Sequence, residues 1–412
     1  MKCRQCGELL REIVADLGSM PSSNANLTEE TLHKPEKWFP LRILVCTNCW
    51  LVQTEDFANR EELFTDQYPY FSSFSSSWLQ HSKTYAETMI ELLSLNETSK
   101  VVEVASNDGY LLQYFKQNDI PCYGIEPTAS AAEIAKAKGI FTVQEFLGAK
   151  TAKSLRTHYL PEADLLIANN VVAHVPDIND FIKGMSILLK SKGIATLEFQ
   201  YLPDMIDNNL WDCIYAEHYS YLSLTSISKA IRKAKMEIYK VERLTTHGGS
   251  LRVWMQHEIH NMRRIPFKDK SVDALLKEEK AKGIDSMDYY RNWTPRIEKN
   301  KNDLLKFLIT AAEDGKKVAA YGAAAKGNTL LNFAGIKKDL LGFVVDRNPM
   351  KQGKYLPGSR IPVYSEDKLL DEKPDYILIL PWNLKNEISK QLEYTRDWGC
   401  KLVTALPELK IF

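Results

Sequence analysis

No apolar run in this chain reaches the roughly 18 residues that a membrane-spanning helix requires, which excludes a helical membrane protein. An excess of one charge is missing too. The 53 basic residues are matched by 53 acidic ones, so the total gives no pull toward nucleic acid or anionic lipid. The opening MKCRQCGE has no apolar segment of the kind a signal peptide carries, and a cytoplasmic location is expected. Cysteine is scarce, with seven residues, and in a reducing compartment these stay as thiols or bind metal. What is present is length: 412 residues, enough for two or three domains with substantial cores.

Four of the seven cysteines fall into two pairs, Cys3-Arg-Gln-Cys6 and Cys46-Thr-Asn-Cys49, about forty residues apart. Four thiolates in two such knuckles suit tetrahedral zinc, and a full sulfur shell leaves no position for water or substrate. The metal is therefore expected to be structural, stapling a zinc-ribbon-like set of short strands at the N-terminus. Cys122, Cys213 and Cys400 are scattered and read as small core residues.

Residues 101–115, VVEVASNDGYLLQYF, run from an apolar segment through a polar turn containing Gly109 into helical spacing. Such a strand, turn and helix lets backbone N–H groups face a ligand. About twenty residues on, the short strand CYGIEP ends in Glu126, placed to hold the ribose hydroxyls of an adenosyl ligand. Ala105 and Asn107 stand where a dinucleotide fingerprint needs glycine. The loop instead resembles the S-adenosylmethionine loop of class I methyltransferases, with Glu103, Ser106, Asn107 and Gly109 as its residues; the plain alternative is a βαβ unit with a surface turn.

Strands and helices continue to alternate through 163–168 and 193–199, which predicts a parallel, doubly wound sheet with ligands at the carboxyl ends of its strands. Asn169, Asn170 and His174 belong to that edge. WDCIYAEHYSYLSL, residues 211–224, sets Glu217 and His218 among Tyr215, Tyr219 and Tyr221. A histidine there suits removal of a carbon-bound proton beside a carbonyl, with phenols or the carboxylate tuning it; a half-buried strand with an aromatic face is the alternative. THGGSLR places Arg252 after a double glycine, either to meet an anion or simply to bend into a strand. Residues 269–303 are charged and read as surface helix. The last hundred residues repeat the α/β design, with a small-residue turn carrying Lys326 and Asn328, and Lys351 and Lys354 further on, available for phosphate; a scaffolding role is the alternative.

Together the two CxxC pairs, VVEVASNDG with GIEP, NNVVAHV, YAEHYSY, THGGSLR and YGAAAKGNTLLN with VVDRNPMKQGKYLPGSRIPV resemble the sugar C-methyltransferases that act on nucleotide-linked 4-keto-deoxyhexoses. The resemblance spans the chain. It implies an α/β protein of four parts: a zinc-binding module (1–65), a Rossmann-like methyltransferase domain (66–265), a helical connection (266–310) and a second Rossmann-like domain (311–412) that helps hold the nucleotide diphosphate. It implies methyl transfer from S-adenosylmethionine to the sugar carbon next to the ketone, with His218 as base and Glu217, Tyr215, His174 and Tyr70 around it. Tyr68 is the second choice within YPYFSS and a substrate contact, beside Arg252, Lys326, Asn328 and Lys351. An enolate explains why a ketone is needed, since a carbon–carbon bond requires a stabilised carbanion. An O- or N-methyltransferase of another small molecule would keep the cofactor site without needing the ketone, and a non-catalytic scaffold would keep only the zinc module. Neither nucleic acid nor membrane is expected as partner, and a monomer suffices.

Overall fold

The structure, a computed structural model, describes residues 1–55, 57, 63, 71–258 and 269–412. Near the N-terminus β1 (Glu12–Met20), β2 (Phe39–Val45) and β3 (Val52–Thr54) form an antiparallel meander, with Val14, Leu17 and Met20 of β1 turned inward. The cysteine pairs sit at one end, Cys3 and Cys6 ahead of β1, Cys46 and Cys49 in the turn between β2 and β3.

A long helix, α1 (Ser76–Leu93), opens the middle region and buries Trp78, Tyr85, Met89 and Leu93 along one stripe. After it come β4 (Val101–Val104), β5 (Cys122–Ile125), β6 (Phe141–Val143) and β7 (Ala163–Asn169), then α2 (Ile178–Leu188) and β8 (Leu189–Gln200). A two-residue strand, β9 (Ser220–Tyr221), leaves this sheet and pairs with β3, so the N-terminal sheet is completed by chain that directly follows His218. The helix α3 (Leu224–Lys233), β10 (Met236–Leu244) and β11 (Ser250–His257) finish the region. The seven-stranded sheet has the order β10-β11-β8-β7-β4-β5-β6, parallel from β8 to β6 with an antiparallel edge. Strand order reverses at β4, and ligands of such sheets lie outside the carboxyl ends at that reversal.

Helices α4 (Lys270–Lys282) and α5 (Trp293–Glu313) lead to α6 (Ala325–Ala334) and a sheet of β12 (Val318–Tyr321), β13 (Val344–Val345), β14 (Val363–Tyr364), β15 (Tyr376–Ile379), β16 (Lys401–Thr404) and β17 (Lys410–Ile411). Its order is β14-β13-β12-β15-β16-β17, parallel but for β17. The charged stretch read as surface helix needs correction: α5 buries Trp293, Ile297, Leu304 and Leu308 at helical spacing. Those side chains join Val14, Leu41 and Ile43 of the N-terminal sheet, Val318 and Leu378 of the C-terminal sheet and Leu330 of α6 in one apolar cluster. Cys3, Cys46, Cys49 and Leu51 pack instead into the core of the middle sheet. No helix among the described residues is long and apolar enough to cross a membrane.

Candidate active site

A cavity of about 350 Å³ opens at the carboxyl ends of the middle sheet, where β4, β5, β7 and β8 end, and is closed by Asn24 from the N-terminal segment and Lys326 and Lys351 from the C-terminal unit. All three parts of the chain wall it. Of the residues singled out from sequence, the structure brings His218, Tyr215, His174, Asn107, Glu126, Asn169, Asn170, Lys326 and Lys351 to this cavity.

The cofactor end is built by the loop after β4. Ala105 and Asn107 both take positive φ, 56° and 49°, so the chain turns tightly enough for the Asn107 N–H to donate to Glu126 Oε2 at 2.9 Å. Glu126 Oε1 accepts from the Thr128 N–H at 2.8 Å, and burial raises the carboxyl above its ordinary pKa. On the facing loop, Asn169 Oδ1 and Asn170 Nδ2 are buried without a hydrogen-bond partner among the described residues. Orphaned polar atoms on a cavity wall signal a missing ligand, and an acid, an amide oxygen and an amide nitrogen fit the polar groups of S-adenosylmethionine.

Three expected cofactor residues lie elsewhere. Glu103 is fully buried inside β4 and does not line the cavity; burial pushes its carboxyl pKa well up. Ser106 is buried beneath Gly124, where a Cβ would come within 2.4 Å of its hydroxyl. Gly109, at φ +75°, is needed for packing, because a Cβ there would stand 2.6 Å from Ile140 Cδ1.

At the other end lies the imidazole pair. A tight turn, closed by the His218 N–H to the Tyr215 carbonyl at 2.9 Å, aims both side chains into the cavity. His218 Nδ1–H donates to the Cys213 carbonyl at 3.0 Å, so Nε2 carries the lone pair and accepts from the Tyr215 hydroxyl at 2.6 Å. Burial, then the neighbouring His174, hold the His218 pKa well below its usual value. The His174 ring centroid is 4.6 Å from that of His218; its Nδ1–H donates to the Glu217 carbonyl at 2.8 Å, and burial lowers its pKa to about 4. The backbone here is gripped from outside. Thr54 Oγ1–H donates to the His218 carbonyl at 3.2 Å and the Thr54 N–H to the Tyr219 carbonyl at 3.1 Å.

Glu217, expected beside His218, does not reach the cavity wall. Its carboxylate is fully buried, and Oε1 accepts from Ser22 Oγ–H at 2.9 Å, the Asn24 N–H at 3.2 Å and Asn24 Nδ2–H at 3.3 Å. Burial raises its pKa. Arg252, expected as a substrate contact, is buried off the cavity, ion-paired to Glu198 at 2.7 Å and stacked 4.5 Å over the Tyr85 ring. Asn328 also stands off the wall and gives its Nδ2–H to the Ser23 carbonyl at 2.6 Å. Tyr68 and Tyr70 lie outside the described residues. Lys326 Nζ donates to Asn383 Oδ1 at 3.0 Å over the Trp382 ring, and Lys351 Nζ to the Ala323 carbonyl at 2.6 Å. Asn24, Trp78, Gln200 and His247, none of them singled out as a site residue, also line the cavity; Trp78 ends the aromatic and serine-rich stretch 66–78 and His247 belongs to THGGSLR.

The four cysteine sulfurs lie within 4.8 Å of one another, with Cys3–Cys49 and Cys6–Cys46 both at 3.5 Å. A zinc ion with Zn–S bonds of 2.3 Å has sulfur–sulfur edges of about 3.8 Å, so the cluster fits it, and Gln53 Nε2–H adds a hydrogen bond to Cys3 Sγ at 3.2 Å.

Sequence comparisons place this chain among known proteins. A family profile described as a C-methyltransferase C-terminal domain matches residues 245–407, one for a zinc binding domain matches 3–64, and one for a methyltransferase domain matches 78–241. The chain is 31% identical over 415 residues to the C-methyltransferase NovU of Streptomyces niveus, covering 100% of this chain and 96% of that protein. Among solved structures, magnesium protoporphyrin IX methyltransferase from Synechocystis PCC 6803 with bound SAM aligns with 13% identity and a TM-score of 0.36, covering 50% of this chain and 100% of that one.

Proposed function

Because the chain belongs to the C-methyltransferase family and uses S-adenosylmethionine, we propose that it methylates the carbon next to the ketone of a nucleotide-diphosphate 4-keto-deoxysugar. One observation carries the reading: His218 presents a tautomer-fixed Nε2 lone pair, capped by a phenol, in the same cavity as Glu126, Asn169 and Asn170.

S-adenosylmethionine supplies an electrophilic sulfonium methyl when bound, beside Glu126, Asn107, Asn169 and Asn170. The chain's own groups make the nucleophile. When a ketone enters, the Tyr215 hydroxyl transfers its hydrogen bond from Nε2 to the ketone oxygen, leaving the lone pair free to take the α-hydrogen. The same phenol then stabilises the enolate oxygen as negative charge grows there. His218 is kept neutral by burial and by His174, so it is always in the basic form at neutral pH, although a weak base. That weakness makes the donor to the oxyanion indispensable. Lys326 and Lys351, both on the wall supplied by the C-terminal unit, are the cations this reading assigns to the diphosphate.

The test is a panel of thymidine-, guanosine- and cytidine-diphosphate 4-keto-deoxyhexoses, read by mass for one added methyl and by exchange of the α-hydrogen in deuterated water. Exchange by the wild type and none by His218→Ala supports the reading; methylation of oxygen or nitrogen, or unaltered exchange in the variant, overturns it.

A further inference from the structure

His247 stands apart from the other two histidines of the cavity. Nδ1 of His174 and both ring nitrogens of His218 are engaged by the protein, whereas no hydrogen bond joins either ring nitrogen of His247 to the described residues. Through its backbone, the His247 carbonyl accepts from Gln200 Nε2–H at 3.3 Å.

The fold goes to some length to hold this ring in place. His247 sits at φ 53°, ψ 21°, a left-handed conformation that costs a side-chain-bearing residue energy and that persists where surrounding structure enforces it. The enforcement is visible on both flanks. Thr246 Oγ1–H is tied to Glu198 Oε1 at 3.1 Å. Gly248, at φ +87°, leaves no room for a Cβ, which would stand 2.4 Å from the Trp382 ring, and Gly249, at φ +129°, none beside Asp204. The imidazole lies with its centroid 5.1 Å from that of Trp78, on the wall that also carries Lys326.

From this geometry we propose that His247 recognises an uncharged oxygen of the sugar, a hydroxyl or the ring oxygen, through one imidazole nitrogen. The proposal rests on reading the cavity as a keto-sugar site. The choice of an uncharged partner follows from the neighbours. Burial, then the Lys326 charge, depress the His247 pKa to about 4, so the ring is neutral, while Lys326 and Lys351 already provide the cationic groups for phosphate. A neutral imidazole offers one donor and one acceptor, which matches a hydroxyl.

Three variants separate hydrogen bonding from packing. His247→Phe keeps a ring on Trp78 and removes both nitrogens; His247→Gln restores a donor and an acceptor; His247→Ala removes both functions. Binding is measured by calorimetry for the nucleoside diphosphate alone and for its 4-keto-deoxyhexose, using the panel member that the wild type methylates. The proposal expects His247→Phe and His247→Ala to weaken sugar-nucleotide binding about tenfold, with the nucleoside diphosphate and S-adenosylmethionine unaffected, and His247→Gln to recover most of the loss. Equal weakening for both nucleotides, or wild-type binding by His247→Phe, overturns it. Failure of the wild type to exchange or methylate any keto sugar would instead overturn the underlying reading, so the two failures are distinct.

Discussion

At the residue scale, the decisive quantity is the protonation state of buried groups. His218 is desolvated and faces His174, Tyr215 and, at longer range, Lys326, and its pKa lies well below 6.5. The acid limb of kcat/KM attributable to this base therefore falls below 6.5, and a pH–rate profile with its inflection at or above that value would contradict the assignment. Tyr215→Phe removes the oxyanion donor and is expected to lower kcat roughly 100-fold, with S-adenosylmethionine binding intact. Glu103 tests the opposite sign. Burial raises its folded-state pKa above the unfolded value, so above pH 4.5 the native state holds a proton that the unfolded chain has released, and stability falls as pH rises through the folded pKa. Glu103→Gln removes that dependence. Its melting temperature relative to wild type should improve from mildly acidic to mildly alkaline pH, and a pH-independent difference would refute the account.

At the scale of elements, the notable piece is the loop after β1. Ser22 and Asn24 are held by the Glu217 carboxylate and the Ser23 carbonyl by Asn328, so residues 22–24 are pinned between the middle region and the C-terminal unit while Asn24 lines the cavity. Glu217→Ala strands those donors in a buried place, at about 1–3 kcal/mol. The expected result is a raised KM for the sugar nucleotide with unchanged S-adenosylmethionine affinity, largely recovered in Glu217→Gln, which keeps the Oε1 acceptor. Unchanged steady-state constants in Glu217→Ala would remove the loop from the account. Glu217 also shows where sequence reading stops. Its adjacency to His218 suggested a shared task, yet the turn closed at Tyr215 sends successive side chains to opposite sides. The ion pair of Arg252 escaped sequence reading for a related reason: its partner Glu198 lies directly opposite on β8, and no local pattern reveals a cross-strand pair. The strand–turn–helix at β4, the parallel alternation and the cysteine knuckles were legible because period and spacing encode them locally. Asn24 was not, because a polar loop residue acquires meaning only from what folds against it.

At the scale of the whole molecule, the middle region and the C-terminal unit each keep an apolar cluster of their own, but two larger clusters run across the parts. Side chains of β1 and β2, of α5 and of the C-terminal sheet form one apolar cluster, while the cysteine knuckles pack into the middle sheet. Backbone pairing of Leu27 with Tyr355, at 2.9 Å in each direction, and the Glu36 contacts to the Gly358 N–H and Arg360 fasten the N-terminal segment to the C-terminal unit as well. Independent domains would melt separately; shared cores unfold together. Scanning calorimetry of the zinc-loaded protein should therefore give one transition, with calorimetric and van't Hoff enthalpies in agreement. Removing zinc with a chelator should move that whole transition to lower temperature rather than detach a small early one, because the turn between β2 and β3 carries two of the sulfurs and β3 in turn carries Thr54, which holds the His218 carbonyl. Activity should fall with the metal although none of the four clustered cysteines lines the cavity. A chelated protein that loses one minor transition and keeps its kcat would show that the module is an appendage and not part of the frame around the base.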